Sequence, residues 1–584
     1  MKILPWRGLP IRHPRLFRWL HILAPLVFYL TLSFIFFGRN ISWSKYYFGY
    51  STDSVVTIWF LNWWSFAISH GLNPFLCKYV WFPAGYNFTW ATSVPFLAIL
   101  SWPVTVLGSP VLSYNILMLS APAFGAWAAF LLGRELTRDW AASLVCGFLF
   151  GFSAPELWAL LANLNLDTVV LIPLAILLCV RRLRGSLNRW QFVVLLSLLL
   201  VAQLGISTEV LATLCLIGAL SWGIFLLFTP VGERQTFWRL AADIALSAPL
   251  VMILASFFLY YLVKGLPDVP AQINPPGLGG AELLKFVVPA VPIKPDWMML
   301  AAIARQFSGF MPNNYTYISP PLLLLLVLYF YRHISTAYVK ALLALICIIS
   351  VLSLGAKLLF NGELTNIPMP WALFSHIPII RSIIPNRLLI YLSLGSAIAA
   401  AFFLTEARTV KSRLSRFALA GLACLCLSPA KVDVLPMPWQ TQPIFQKQTE
   451  FKWSRWPEDP FFTPAHIKKA LGSMPNVILL PDPSVGPGMA WQVNAGFGFT
   501  QAAGYVGFKL VHEQKWHVLD DTVWGQVKPD FGAVFPAFCA AHRVDYILIG
   551  PGTPASVISA IEALGWPHRM DSGIEIVKTP ADLQ

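Results

Sequence analysis

Long apolar runs recur along the first three quarters of the chain, and they constrain its fold more than any other feature. The runs extend from Trp19 to Leu427, in a chain of 584 residues that is 57% hydrophobic and 12% charged. Soluble domains carry about twice that charged fraction. The chain is therefore predicted to be a polytopic α-helical membrane protein.

About eleven of these runs are predicted to span the bilayer, since each is a largely apolar segment bounded by Pro, Gly or charged residues. They are Trp19–Phe37, Val111–Leu132, Trp140–Phe152, Leu166–Val180, Trp190–Leu204, Val210–Phe228, Leu240–Val263, Pro320–Tyr331, Ala341–Leu354, Leu388–Leu404 and Leu414–Leu427.

The basic residues predict which loops face the cytoplasm. The formal net charge is +14, but the basic residues lie in the loops between spans, so nucleic acid is not a predicted partner. If Val94–Leu107 is re-entrant or interfacial and does not span, every basic cluster falls on the side of the basic N-terminus. We therefore predict a cytoplasmic N-terminus and an extracytoplasmic C-terminus. The clusters are Arg134 and Arg138; Arg181, Arg182, Arg184 and Arg189; Arg234 and Arg239; Arg332 and Lys340; and Arg408, Lys411, Arg413 and Arg416.

The large first external loop, residues 38–110, carries a single carboxylate among many aromatic residues. This is Asp53, which opens a helix-like stretch that reaches Ile68. In a partly desolvated cleft such a group can serve as a general base or a metal ligand. The same Ser-Thr-Asp sequence before an apolar run is also typical of a helix N-cap, and both roles stay open.

Further polar residues are predicted at the same membrane face. Asn163, Asn165 and Asp167 alternate with Leu, so a strand-like loop would place all three on one side. They could bind a sugar or support a metal, or Asp167 could cap the span that follows. Glu156 follows Pro155 and could be a first-turn charge on a helix, while Glu209 lies at the mouth of a span.

Basic side chains are scarce on the predicted external face. A phosphate-bearing lipid would need one or two of them to neutralise its charge. Arg381 and Arg387 are the best placed because they precede a span directly, and Lys78 in the first loop is a third candidate. Arg387 could instead extend to the interface as a structural anchor.

The composition changes after residue 430, which predicts two domains: a membrane domain of residues 1–430 and a small extracytoplasmic α/β domain of residues 431–584, entered by a linker at Pro436–Pro438. Thr463-Pro464 and Gly472 bound a predicted helix, and Thr553-Pro554 and Gly565 bound another. Strands are predicted at Asn476–Leu480, Val544–Ile549 and Gly573–Val577. The eight cysteines do not form a recognisable disulfide framework; a Cys77–Cys539 bond has no support in the sequence.

Several local patterns together resemble a known class of membrane enzymes. The first is D-x5-W-F-L-N-W-W from Asp53, followed by W-F-P-A-G-Y-N. The others are L-N-L-D at Leu164–Asp167, F-V-V-P at Phe286–Pro289, the segment Leu352–Ser382 with Arg387 beyond it, and the terminal V-D-Y-I-L-I and G-I-E-I-V. No P-loop, dinucleotide-binding glycine motif, zinc-protease helix or G-x-S-x-G elbow occurs. The pattern resembles the GT-C class of integral-membrane glycosyltransferases, in particular a bacterial branch with a periplasmic C-terminal domain.

The resemblance implies a fold, a location and a reaction. GT-C enzymes take a sugar from a polyprenyl-phosphate or polyprenyl-diphosphate carrier, and Asp53 matches the position of their catalytic aspartate. Asp167 or Glu156 would supply a second acidic residue, and the need for a divalent cation is left open. The hypothesis is an inverting glycosyltransferase of the bacterial inner (plasma) membrane that uses a polyprenyl-linked sugar at the outer face. The partners are that donor and the membrane lipids.

An alternative hypothesis is a non-catalytic membrane protein that binds or translocates a glycolipid. Such a protein would need the cavity and the basic residues, but it would not need the Asp53 carboxylate.

Overall fold

A computed structural model describes residues 15–270, 273–274, 279–289, 316–360, 363–374, 377, 380–429, 432–435 and 451–583. The linker predicted at Pro436–Pro438 lies outside these residues. In the membrane domain the longer helices are α1 (Arg15–Phe37), α2 (Thr52–Ser69), α3 (Pro95–Leu107), α4 (Pro110–Thr137), α5 (Trp140–Gly151), α8 (Leu171–Leu183), α9 (Arg189–Ile206), α10 (Thr208–Phe228), α11 (Arg234–Leu254), α12 (Ser256–Lys264), α13 (Pro320–His333), α14 (Ala337–Ser353), α15 (Leu389–Thr405) and α16 (Val410–Cys426); two short helices, α6 (Ala154–Ala159) and α7 (Leu164–Asp167), precede α8.

Each predicted span is helical along most of its length, which confirms a polytopic helical architecture. The span Leu166–Val180 begins in α7 and continues in α8. In the described residues, six helical stretches are long and apolar enough to cross a membrane. They are Pro110–Thr137, Leu164–Leu183, Arg189–Ile206, Thr208–Phe228, Val231–Leu254 and Pro385–Thr405. The predicted span Leu240–Val263 is divided at Ala255, where α11 ends and α12 begins.

The run Val94–Leu107 forms α3, which packs against α2 and α4. At a rise of about 1.5 Å per residue its 13 residues cover only about 20 Å, less than the ~30 Å hydrocarbon core. Helix α5 is equally short, so length alone does not separate the two helices. The re-entrant or interfacial placement of α3 stays a prediction.

Ion pairs join three of the basic loops that the sequence assigns to one side of the membrane. Arg181 and Arg184 both pair with Glu135, which lies near the end of α4. Arg413, at the start of α16, pairs with Asp139 in the loop after α4. These ion pairs join loops that are far apart in the sequence, and they support the grouping on which the topology prediction depends.

The C-terminal part contains the predicted α/β fold. Its five-stranded sheet has the order β11 (His568–Asp571), β12 (Ile574–Lys578), β10 (Tyr546–Ile549), β8 (Asn476–Leu480), β9 (Thr500–Gln501), and β8 and β10 are parallel. The helices are α17 (Pro464–Leu471), α18 (Gly488–Asn494), α19 (Val518–Trp524), α20 (Phe531–His542) and α21 (Ala555–Glu562). Thr463 caps α17 and Gly472 ends it, as predicted.

The two parts of the chain share a sheet and a core. Strand β1 (Tyr46–Phe48), from the first external loop, pairs antiparallel with β7 (Phe451–Arg455), and β6 (Val432–Leu435) lies parallel on the other side of β7. Trp59 on α2 packs edge-to-face on Phe497, with ring centroids 5.5 Å apart. The α/β part is therefore fixed to the first loop rather than attached only by a linker.

Two small pairs of strands lie outside these sheets. Strands β2 (Leu76–Cys77) and β3 (Tyr86–Asn87) form a hairpin within the first loop, and β4 (Lys357–Phe360) pairs with β5 (Glu363–Pro368). All eight cysteines are free thiols, so Cys77 and Cys539 do not form a disulfide.

Candidate functional site

Asp53 lies in the first turn of α2, but it is not the residue that caps the helix. The hydroxyl of Ser51 is the N-cap and accepts a hydrogen bond from the backbone N–H of Asp53 at 3.1 Å. The N-cap interpretation of Asp53 is therefore wrong, because the preceding serine already fills that position. The Asp53 carboxylate is left to make other interactions.

The partner of this carboxylate comes from the C-terminal part. Tyr505 donates its hydroxyl hydrogen bond to Asp53 Oδ1 at 2.8 Å. Asp53 keeps part of its surface open to solvent but is surrounded by protein, and this burial raises its pKa. The Tyr505 hydrogen bond and the nearby Arg387 charge lower the pKa and offset part of that effect.

Arg387 links Asp53 to a second carboxylate. It lies in the 3₁₀ turn Pro385–Leu388 before α15, and its Nη1 forms an ion pair with Oε2 of Glu209. Glu209 repeats the local arrangement of Asp53, since Ser207 caps α10 and leaves the acid in the first turn free to face the site. Both helix N-termini stabilise the negative charge they carry.

Glu156 and Asp167 form a buried acidic pair beside this ion pair. Glu156 lies in the first turn of α6, as predicted, and Asp167 ends α7. The two carboxyl groups contact each other, and no other donor among the described residues reaches any of their four oxygens. Two carboxyl groups buried side by side cannot both ionise at low cost, so at least one holds a proton.

The strand-like loop predicted at Asn163–Asp167 is wrong. These residues form one helical turn, with Asn163 as the N-cap and the Asp167 N–H bonded to the Asn163 carbonyl at 2.9 Å. Asn163 and Asp167 are therefore neighbours on one face, while Asn165 points elsewhere. Asp167 does not cap the following helix either, because α8 begins after Val170.

A pocket joins the acidic pair to the ion pair. Its polar lining consists of Glu156, Glu209, Thr213 and Arg387. Its apolar lining consists of Pro155, Ala159, Leu166, Val169, Val210 and Ile390. The pocket therefore has a charged end beside an apolar wall.

The structure brings together Asp53, Glu156, Asp167, Glu209 and Arg387. Tyr114 on α4 lies near both Asp53 and Asp167. Arg381 and Lys78 are both exposed, and neither makes a side-chain hydrogen bond or ion pair within the described part of the chain. No three His, Cys, Asp or Glu side chains in that part are grouped to hold a metal ion.

Sequence reasoning missed Tyr505. It is 452 residues from Asp53 and lies in a loop between β9 and α19 that carries no catalytic motif. A loop with glycines on both sides of an aromatic residue, G-Y-V-G, was the one available signal.

Comparison with solved structures places this geometry in a known fold. The mycobacterial arabinofuranosyltransferase AftD superposes with a TM-score of 0.58 at 12% sequence identity. The match covers 97% of this chain but only 40% of AftD, so the chain spans two fifths of that protein's length. No protein-family profile matches the sequence, and no curated protein matches it either.

Two further structures are similar at a lower level. The archaeal oligosaccharyltransferase AglB from Archaeoglobus fulgidus has a TM-score of 0.44 at 13% identity, covering 97% of this chain and 75% of AglB. ArnT from Cupriavidus metallidurans has a TM-score of 0.44 at 10% identity, covering 98% of this chain and 99% of ArnT. These two superpose less closely, and the fold assignment depends on the first match.

The fold is that of the GT-C class of membrane glycosyltransferases. This confirms the fold expected from the resemblance. Identities of this size establish the fold alone, so the reaction has to be argued from the site.

Proposed function

We propose that the chain is an inverting glycosyltransferase that moves a sugar from a polyprenyl-phosphate carrier to an acceptor at the outer face of the membrane. The observation that carries the proposal is the Asp53 carboxylate, which is not a helix cap and forms no salt bridge with any residue that the structure describes. It lies near Arg387, beside a pocket with an apolar wall.

In this proposal Asp53 is the general base. The acceptor hydroxyl attacks the anomeric carbon of the donor sugar and transfers its proton to the Asp53 carboxylate. The bond between the anomeric carbon and the carrier phosphate breaks, and the phosphate leaves with the electron pair. Burial raises the pKa of Asp53, which improves its match to a proton transfer near neutral pH. Such a base contributes about 100- to 10,000-fold to a rate.

The carrier phosphate would lie at Arg387. A guanidinium has five N–H donors, so Arg387 can keep its contact with Glu209 and still bind a phosphate oxygen. The apolar residues of the pocket would contact the first part of the lipid chain. Arg381 and Lys78, being exposed, are proposed only as outer contacts for the acceptor or for lipid headgroups.

The remaining assignments follow from this reaction. We place the chain in the bacterial inner membrane, with a cytoplasmic N-terminus and an extracytoplasmic C-terminal domain. Its partners are the polyprenyl-linked donor and membrane lipids. Residues 1–430 form the transferase domain in this proposal, and residues 431–584 complete its outer surface.

The test is transfer from a radiolabelled polyprenyl-phosphate sugar by purified Asp53→Asn protein in lipid nanodiscs. We expect loss of at least 100-fold in turnover with the thermal midpoint unchanged, because Ser51 still caps α2. Asp520→Asn is the control, since Asp520 is exposed and its ion-pair partner is the surface residue Lys509. Retained turnover in Asp53→Asn would overturn the role of Asp53. Carrier binding without transfer in the wild-type protein would favour the non-catalytic glycolipid-binding alternative.

A further inference from the structure

We propose that Tyr505 is a positioning residue for the Asp53 carboxylate, so that the C-terminal domain supplies part of the transferase site. The inference depends on the proposed function, because it takes Asp53 as the base. It goes further by assigning a role in the reaction to a residue of the α/β domain.

The contact between the two residues is direct. The Tyr505 hydroxyl donates to Asp53 Oδ1 at 2.8 Å, and it is the one side-chain hydrogen bond to this carboxylate in the described part of the chain. Holding Oδ1 fixes the plane of the carboxylate and leaves Oδ2 to receive the acceptor proton. A carboxylate without this bond could rotate about its side-chain torsions.

The loop that carries Tyr505 is fastened to the first external loop on both sides of the tyrosine. Before Tyr505, the N–H of Gln501 donates to the carbonyl of Tyr79 at 2.9 Å, and the N–H of Phe82 donates back to the carbonyl of Gln501 at 3.0 Å. After it, the Tyr86 hydroxyl donates to the carbonyl of Phe508 at 3.0 Å. The tyrosine is thus held against the first external loop by hydrogen bonds that do not involve its own side chain.

Two glycines, Gly504 and Gly507, allow the Tyr505 loop to lie close to the first external loop. A Cβ on Gly504 would lie 3.1 Å from the side chain of Val80, and one on Gly507 would lie 3.1 Å from the Tyr86 hydroxyl. Both glycines also have positive φ angles, 154° and 149°. A larger residue at either position would crowd Val80 or Tyr86 and would be strained by the positive φ angle.

The tyrosine keeps its proton under all working conditions. The negative charge of Asp53 and burial raise the pKa of Tyr505 well above its ordinary value. Tyr505 is therefore always the donor to an ionised Asp53. The other groups facing Asp53 are Arg387, itself paired with Glu209, and the Tyr114 hydroxyl on α4. The hydrogen bond from Tyr505 and the charge of Arg387 both lower the pKa of Asp53.

The test compares Tyr505→Phe with Tyr86→Phe. Both variants lose one hydroxyl at the same interface, but the Tyr86 hydroxyl bonds a backbone carbonyl and not the carboxylate. In Tyr86→Phe the backbone bonds of Gln501 to Tyr79 and Phe82 still hold the loop. We expect the acidic limb of the pH profile of kcat/KM to move up by about one pH unit in Tyr505→Phe, because a donor to the ionised form is lost. At pH values below the limb, kcat/KM of Tyr505→Phe is about 10-fold lower than that of the wild-type protein. Tyr86→Phe keeps the wild-type pH profile.

The outcomes separate this inference from the proposed function. If Asp53→Asn is inactive and the Tyr505→Phe profile coincides with that of Tyr86→Phe, the inference is wrong and the proposed function stands. If the wild-type protein transfers no sugar, the proposed function is wrong. The contact is then tested by infrared titration of the Asp53 carboxyl band, assigned with Asp53→Asn. An unshifted band in Tyr505→Phe would overturn the contact itself.

Discussion

Gln492 provides the sharpest test of how the C-terminal domain is attached. It lies on α18, is fully buried, and uses all the hydrogen-bonding capacity of its amide. Its Oε1 accepts from the indole N–H of Trp59 at 2.8 Å and from the amide of Gln501 at 2.9 Å. Its Nε2 donates to the carbonyls of Tyr79 at 2.9 Å and Phe499 at 3.0 Å. One side chain thus ties α2, the first loop and the α/β domain together.

Replacing Gln492 by Leu keeps the volume and removes all four bonds. The Tyr79 carbonyl still accepts from the Gln501 N–H, so three groups lose a partner: the Trp59 indole, the Gln501 amide and the Phe499 carbonyl. At roughly 1 kcal/mol or more for each buried group, the loss is about 3 kcal/mol. For a domain of the size of the C-terminal α/β domain, residues 431–584, a loss of about 3 kcal/mol corresponds to a fall in Tm of about 6–12 °C.

The assay is thermal unfolding in nanodiscs followed by tryptophan fluorescence, with hydrogen exchange at residues 79–88 as a local probe. Gln203→Leu is the matched control: Gln203 is also fully buried, on α9, but its amide has no hydrogen-bond partner among the described residues. Its replacement should leave Tm unchanged or raise it. A fall of less than 2 °C in Gln492→Leu, or equal shifts in both variants, would refute the reasoning.

Three further predictions concern the site and the thiols. Arg387→Gln should move the acidic limb of the pH profile of sugar transfer to higher pH, because the guanidinium lowers the pKa of Asp53. It should also raise the KM for the lipid carrier. An unchanged pH profile and an unchanged KM would contradict both roles of Arg387. Asp167→Asn should keep or raise Tm, because it removes one of two carboxyl groups buried side by side, and a fall of several degrees in a melting curve would contradict this. All eight cysteines should react with maleimide after denaturation without reductant, and mass spectrometry that finds a missing pair would show a disulfide.

The membrane architecture could be predicted from the sequence because it depends on local composition. Each apolar run forms a helix, and the threonine and glycine signals around α17 mark its ends correctly. The assignment of the basic residues to one side stays a prediction, and ion pairs among three of their loops support it. These features need no knowledge of long-range contacts.

The details of the site could not be predicted for two physical reasons. Ser51 and Asp53 are both good N-cap residues, and only the backbone geometry decides that the serine is the cap. Asn163, Asn165 and Asp167 fit the period of a strand, yet positions 163 and 167 also fit one helical turn, which the structure adopts. The Tyr505 contact joins residues 452 positions apart, and no local pattern encodes it.

The measurement that tests the account most directly is a cryo-EM structure of the nanodisc-embedded protein with a bound polyprenyl-phosphate sugar. We predict phosphate density against the Arg387 guanidinium, lipid density along Val169, Val210 and Ile390, and the sugar ring between the phosphate and Asp53. Phosphate density at exposed Arg381 or Lys78, with the space beside Asp53 and Arg387 empty, would contradict the account.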